Sequence, residues 1–337
     1  MTFKPRWPVA GLIAAACLLA TGAAQADATI INPAGTVALG VKDSGALNTT
    51  VGSVATVGVT GVAYKFPDGS WRDATSPGCL CEGWGVSATT TTGSVSGYDG
   101  NGFANLTFEP LASTATTATT VASLTNLPGL SVQHAYAPAD TASGALFKSV
   151  VTITNMTGSA LSDVRYVRVM DWDIPPTEFS EYVTIKGTAT TTLLELSHDN
   201  GFATADPLTV TSGAAGTVDV DFEDNGPRDH GAYFKFNFGA LADGDNYSFT
   251  IFYGAAASER EALAAIGAEG IELYSLGQQR GDPTGGTPAT FIFGFSGVGG
   301  EPVEPPNPAP EPASLALVGL GLAAMGALRR RRANRAA

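Results

Sequence analysis

Asp171-Trp172-Asp173 sets two carboxylates two residues apart. On an extended strand they share a face about 6–7 Å apart, together with Arg165, while Trp172 points the other way. That separation lies near those used by glycosidases, and the same hard oxygens suit Ca²⁺. The plainer reading has both accepting bonds from loop amides or from Arg165. Glu178 and Glu181 follow just beyond Pro175-Pro176. A second acidic stretch, TVDVDFEDNGPRD over Thr217–Asp229, alternates Asp219, Asp221 and Glu223 with Val218, Val220 and Phe222. The alternation predicts a strand over Thr217–Phe222 with one wet face. Asp224, Asn225 and Asp229 in the following turn are candidate Ca²⁺ ligands, although EF-hand spacing is absent.

Cys79 and Cys81 are the two cysteines beyond the first twenty residues. One residue apart, they are read as a local disulfide, with free thiols or half a metal site as the alternatives. His134, His198 and His230 stand far from them in sequence. His230 adjoins Asp229, but no Gly-x-Ser-x-Gly elbow accompanies it. The Thr-rich runs Thr89–Thr92 and Ser113–Thr120 lack the fixed repeat of an ice-binding array. No catalytic residue is assigned and no cofactor is expected, Ca²⁺ apart.

Strands must position these groups. Leu146–Thr154 (LFKSVVTIT) and Val164–Met170 (VRYVRVM) are rich in β-branched and aromatic residues, and Asn155–Ser159 between them suits a hairpin connection. Further strands are expected at Gly61–Phe66, Gly83–Thr91, Ala104–Phe108, Ala118–Leu124, Leu130–Tyr136, Tyr182–Lys186, Thr191–Ser197, Ala232–Phe238, Asn246–Tyr253 and Thr290–Phe295. Asp-Gly, Asn-Gly and Pro-Gly breaks recur between them. The fold class is all-β: one or two packed antiparallel β-sandwiches. One short helix after Ser258-Glu259-Arg260-Glu261, a capping-box pattern, should run to Gly267 or Gly270 and cover one end or edge of a sheet.

The ends carry other signals. Lys4 and Arg6, the apolar run Val9–Ala20 and Ala24-Gln25-Ala26 form a cleavable signal peptide, with cleavage between Ala26 and Asp27 by signal peptidase after Sec translocation. Cys17 raises a lipoprotein rival, but it sits inside the apolar run. From Ser296 the chain turns to proline and glycine and reads as an extended spacer. Residues 1–26 are thus read as signal, 27–296 as the exported sandwich region, 297–309 as linker and 310–337 as a C-terminal segment. Between Asp27 and Ala309, eleven basic against thirty acidic residues leave a charge of −19, which repels nucleic acid and anionic lipid and favours cations.

The C-terminal segment joins Pro310-Glu311-Pro312, an apolar run to Leu328 and Arg329, Arg330, Arg331 and Arg332. The run covers roughly 24 Å as a helix, short of the ~30 Å hydrocarbon core, so it can stall in the inner membrane with the arginines on the cytoplasmic side. These three parts in order resemble the PEP-CTERM sorting signal of Gram-negative bacteria. The resemblance implies a transmembrane sorting helix, recognition and cleavage by an exosortase near Pro310-Glu311-Pro312, and delivery to the cell surface or extracellular polysaccharide matrix. The body is similar to uncharacterised secreted bacterial proteins at Pro77–Val86, Val169–Tyr182, Asp229–Gly239 and Ile251–Ala256, a likeness that implies β architecture and no activity. The expected role is a non-enzymatic surface or biofilm-matrix component, binding exopolysaccharide through exposed aromatics such as Trp71, Trp84 and Trp172. The alternatives are a carbohydrate-active hydrolase using Asp171, Asp173 or Glu178, and an ice- or surface-adhesion protein.

Overall fold

A computed structural model describes residues 27–304. In chain order these form β1 (Asp27–Ile31), β2 (Val37–Lys42), β3 (Val62–Lys65), β4 (Trp71–Asp73), β5 (Glu82–Thr90), β6 (Gly93–Asp99), β7 (Phe103–Ala104), β8 (Leu106–Phe108), β9 (Ala112–Ser113) and β10 (Ala118–Leu124). There follow β11 (Leu130–Pro138), β12 (Leu146–Asn155), β13 (Ser162–Trp172), β14 (Glu181–Lys186), β15 (Leu194–His198), β16 (Phe222–Arg228), β17 (His230–Asn237), β18 (Asn246–Ala256), α1 (Glu259–Ala268), β19 (Leu273–Gln278) and β20 (Thr290–Ser296).

All pairings between these strands are antiparallel. A ten-stranded sheet runs β16-β14-β19-β20-β18-β12-β11-β10-β8, with β9 also on β10. A six-stranded sheet runs β15-β17-β13-β5-β6-β7, and β1 to β4 make a small third sheet. Period-two alternation decides which side chains enter the sandwich. Phe249, Ile251 and Tyr253 of β18 and Phe291, Phe293 and Phe295 of β20 face Tyr166, Met170 and Trp172 of β13 and Phe234 and Phe236 of β17 in one core. Ring centroids of Phe234 and Phe293 lie 5.5 Å apart, and those of Tyr166 and Phe249 5.0 Å apart, both edge to face. Burying each such side chain contributes about 1.5–3 kcal/mol. Ile30, Leu39 and Val62 of the small sheet join the same core.

A buried polar group sits inside it. Arg168 Nε donates to Glu82 Oε1 at 2.5 Å, and both side chains are fully buried. Arg168 also donates to Gly45 O at 3.1 Å, and its guanidinium lies 5.4 Å from the Tyr253 ring centre. Glu82 Oε2 accepts from Leu47 N at 2.6 Å. Strands from both large sheets and the loop after β2 therefore meet at one ion pair.

The helix begins where the capping pattern places it: Ser258 Oγ accepts from Glu261 N at 3.4 Å. Its buried Ala262, Ala265 and Ile266 pack with Leu146, Phe252, Leu276 and Ile292. It thus covers the outer face of the central strands of the ten-stranded sheet, not an end or edge, because those strands carry apolar residues on both faces.

Two further expectations fail. β12 and β13 are not a hairpin: β12 pairs with β11 and β18, β13 with β5 and β17, in different sheets. Asn155 turns the chain between sheets instead, donating to Ser159 O at 2.8 Å and Leu241 O at 2.9 Å. Thr217–Phe222 is not a strand; the strand is Phe222–Arg228. Asp219 has φ 53°, and its carboxylate accepts from Ser197 N at 2.7 Å. A side chain that captures an amide offers the backbone an alternative to the ladder. The start of the expected spacer is also held: Glu272 accepts from the amides of Gly297, Val298 and Gly300 at 2.9 Å, and Val298 is buried.

Candidate functional site

The acidic site forms where the chain crosses between the two large sheets. β13 belongs to the six-stranded sheet and β14 to the ten-stranded one; β16 and β17 make the reverse passage. Trp172 pairs with His230 in the β13–β17 register. One step further along, that register sets Asp173 beside Asp229. Trp172 enters the core, its indole donating to Ser275 Oγ at 3.0 Å, so Asp171 and Asp173 face the other way, as period two requires.

Asp171, Asp173 and Asp229 each offer a carboxylate oxygen lying within 4.8 Å of the other two. Asp171 and Asp173 are buried and Asp229 is exposed. Glu181, the first residue of β14, is also buried. Its Oε1 accepts from His230 N at 2.9 Å, while Oε2 has no partner. Both oxygens of Asp173 and Oδ1 of Asp171 likewise have none. Asp171 Oδ2 lies 3.5 Å from Cys79 Sγ, and that sulfur, held in a disulfide to Cys81, has no proton to donate; the Trp172 amide is the one group that favours the ionised carboxyl. The backbone packs tightly around Asp171: a Cβ on Gly201 would come within 2.5 Å of its Cα, and one on Gly231 within 2.0 Å of Met170 O.

Burial, and then the charges of Asp229 and Glu181, push the Asp171 carboxyl up to about 8. Burial, then Asp171, Asp229 and Asp73, do the same to Asp173. Burial, with Asp229 and Asp173 adding, lifts Glu181 to about 8. Burial also raises Asp229. Four carboxylates thus share a region where negative charge is disfavoured.

Asp229 also borders a cavity of about 320 Å³ lined by Asp199, Asn200, Phe202, Arg228 and His230 among others. Asp199 there is fully engaged. Burial works against its ionisation, yet bonds from His230 Nδ1 (3.2 Å), Thr217 Oγ1 (2.7 Å), Ala214 N (2.9 Å) and Arg228 hold its carboxyl well below the usual range. The histidine's partner is therefore Asp199, not its sequence neighbour Asp229, and its Nε2 is buried without a partner.

The remaining expected groups are placed as follows. Cys79 and Cys81 are disulfide-bonded with Cα atoms 5.1 Å apart, which removes the thiolate a metal site would need. Arg165 pairs with Glu195 at 2.5 Å and Asp163 at 3.7 Å, not with Asp171 or Asp173. Asp224 does not join the cluster; it lies within β16, and its charge acts on Glu259. Glu178 lines a separate cavity with Arg72 and Asp73. Trp84 and Trp172 are fully buried and Trp71 partly so, and the side chains expected to stack on sugars are correspondingly withdrawn. Threonine hydroxyls of the two runs bond one another within turns, Thr114 to Thr117 at 2.7 Å and Thr90 to Thr92 at 3.0 Å, rather than forming an array. Among the described residues no helix is long and apolar enough to cross a membrane. Ala26, Pro310, Glu311, Pro312, Arg329, Arg330, Arg331, Arg332 and the expected signal and sorting helices lie outside the described residues.

The described body is thus an antiparallel β-sandwich protein with a buried acidic site at its sheet junction. Residues 308–332 match the PEP-CTERM protein-sorting motif. The motif marks an exported, exosortase-processed protein directed to the cell surface. No curated protein matches the chain.

Proposed function

We propose that the body is a non-enzymatic structural or binding component of the bacterial surface or its exopolysaccharide matrix, released there by exosortase after passing through the inner membrane. The observation that carries this reading is the seclusion of the Asp171–Asp173 pair. A glycosidase sets its two carboxyls about 5–9.5 Å apart across an open sugar site. Here the two side chains are 1% and 0% exposed. No open face receives a sugar ring beside them. The extensive aromatic core and the disulfide suit a rigid module that persists outside the cell.

The test has two arms. With Pro310-Glu311-Pro312 replaced by alanines, C-terminal peptide mapping of the fractionated protein should show the tail retained at the inner membrane, whereas the unaltered chain loses it. The purified released protein should bind matrix polysaccharide in a pull-down and release no reducing sugar from it. Sugar release abolished by Asp173→Asn would overturn the non-enzymatic reading. Absence of the protein from surface and matrix fractions would overturn the role itself.

A further inference from the structure

We infer that Asp171, Asp173 and Asp229 form a Ca²⁺-binding site at the junction of the two large sheets, with the buried carboxylate of Glu181 beside it. The inference is independent of the route by which the protein reaches the surface. Three observations support it together. First, one carboxylate oxygen from each of Asp171, Asp173 and Asp229 lies within 4.8 Å of the other two. Ligands held at about 2.4 Å from one Ca²⁺ ion stand no more than about 4.8 Å apart, a limit that all three pairs meet. Second, Asp173 is fully buried and neither of its oxygens has a hydrogen-bond partner; Glu181, also fully buried, leaves Oε2 free. Buried charges are ordinarily paired or coordinate a metal.

Third, other buried acids in the same molecule are satisfied by protein groups. Asp73 accepts from the amides of Gly61 at 2.7 Å and Thr75 at 2.9 Å. Glu82 has Arg168 and Leu47, and Asp199 has Arg228, His230, Thr217 and Ala214. The shortage of donors is therefore most marked at this junction, although Asp224 Oδ1 in β16 is also buried without a partner, and among the described residues no Lys or Arg forms an ion pair with Asp171, Asp173, Asp229 or Glu181.

The donor set selects the ion. All three ligands are carboxylates, which suit Ca²⁺ or Mg²⁺ over Zn²⁺ or copper, and the nearby sulfurs are locked in a disulfide. Ca²⁺ takes six to eight oxygens in adaptable geometry, whereas Mg²⁺ demands a near-ideal octahedron. Exposed Asp229, bordering the cavity, gives the entry path, and the coordination positions that the carboxylates leave open there are ones that solvent can fill. Extracellular modules bind Ca²⁺ in the 10⁻⁴–10⁻³ M range, the affinity expected here to order of magnitude.

The experiment uses the protein purified after export, stripped with EDTA and titrated with CaCl₂ or MgCl₂ by calorimetry, with the thermal unfolding midpoint read alongside. Saturable Ca²⁺ binding and a rise of the midpoint are expected. Terbium should substitute for Ca²⁺ and emit on excitation of Trp172. Asp173→Asn and Asp171→Asn should each weaken binding at least tenfold, whereas Asp224→Asn, outside the site, should bind as the unaltered protein does. Should Asp173→Asn fail to fold, Asp229→Asn at the exposed rim carries the same expectation. No saturation by 10 mM Ca²⁺, or equal titrations for the unaltered protein and the Asp229→Asn variant, would overturn the site. Mg²⁺ binding as tightly as Ca²⁺ would overturn the identity of the ion.

Discussion

Arg168→Met should be among the most damaging single substitutions in this protein, and Glu82→Gln should be worse. The guanidinium donates to Glu82 at 2.5 Å and to Gly45 O at 3.1 Å, with weaker approaches to Tyr166 Oη at 3.4 Å and Tyr136 Oη at 3.5 Å. Removing it leaves Glu82 buried with Leu47 N as its remaining donor. Breaking a buried pair from one side costs about 3–5 kcal/mol, against a total stability on the order of 5–15 kcal/mol. The two losses differ in kind. Burial already raises the Glu82 carboxyl, and without Arg168 it can take up a proton; an arginine has no such escape. Arg168→Met should therefore regain stability as pH falls, and Glu82→Gln should not. The joint change Glu82→Gln with Arg168→Met removes both charges and should cost less than the two single changes summed. Urea unfolding followed through buried Trp84 and Trp172 reads all four proteins. Single variants each losing under about 1 kcal/mol, or a cycle with no coupling, would refute the claim that this buried pair, set on neighbouring strands of the six-stranded sheet, stabilises the core.

His198 is fully buried, stacked on Tyr233 with ring centres 4.4 Å apart, and burial lowers its pKa from 6.5 to about 4. The unfolded chain then binds the extra proton first, so its contribution to stability is complete above pH 6.5 and is lost as pH falls to about 4. The loss amounts to about 3 kcal/mol, and a His198→Gln variant compared with the unaltered protein by urea unfolding at pH 4.5 and 7.5 should show it as a smaller pH dependence. Gly231→Ala would drive a Cβ to 2.0 Å from Met170 O; a loss of about 1–3 kcal/mol and a lower thermal midpoint should follow. Ser258→Ala removes a long 3.4 Å cap, and its cost should stay near the low end of cap losses, about 0.5 kcal/mol, by the same unfolding assay. Thiol titration of the denatured exported protein should find no free thiol from Cys79 or Cys81 before reduction and two after it.

Strand existence was legible where composition and packing agree. Ala118–Leu124 matches its expected limits, and the strands around Val151, Val169, Phe234, Ile251 and Phe293 appear within a few residues of theirs. β6, GSVSGYD, was missed because Gly and Ser carry little strand preference; seven register pairs with β5 hold it. β19 follows the helix closely and its LYSLGQ gives no alternation, since both faces are buried. At the acidic site the shared face of Asp171 and Asp173 followed from period two. Their burial did not, because the covering comes from Gly201 and the Cys79–Cys81 segment, distant in sequence. Glu82 and Arg168, 86 residues apart, left one sign: Arg168 interrupts the apolar face Val164, Tyr166, Met170, Trp172. An arginine in that position needs a buried anion, but the sequence does not say which.

The shortage of donors at the sheet junction follows from its topology. Where β13 leaves its sheet, the amides of Asp171 and Asp173 are spent on Cys81 O at 2.9 Å and Ala74 O at 2.8 Å to hold the departing strand. Where β17 enters, the amide of Gly231 goes to Asp199 O at 2.8 Å, leaving the His230 amide for Glu181. Each backbone donor secures the crossing of the chain, so few remain for the carboxylates that the crossing brings together. Side-chain cations are scarce in a body with eleven of them, and the neighbouring one, Arg228, is committed to Asp199. Compensating positive charge at this junction must then come from protons or from an ion entering beside Asp229. The choice between them sets whether the two sheets are held together there or pushed apart once the acids ionise.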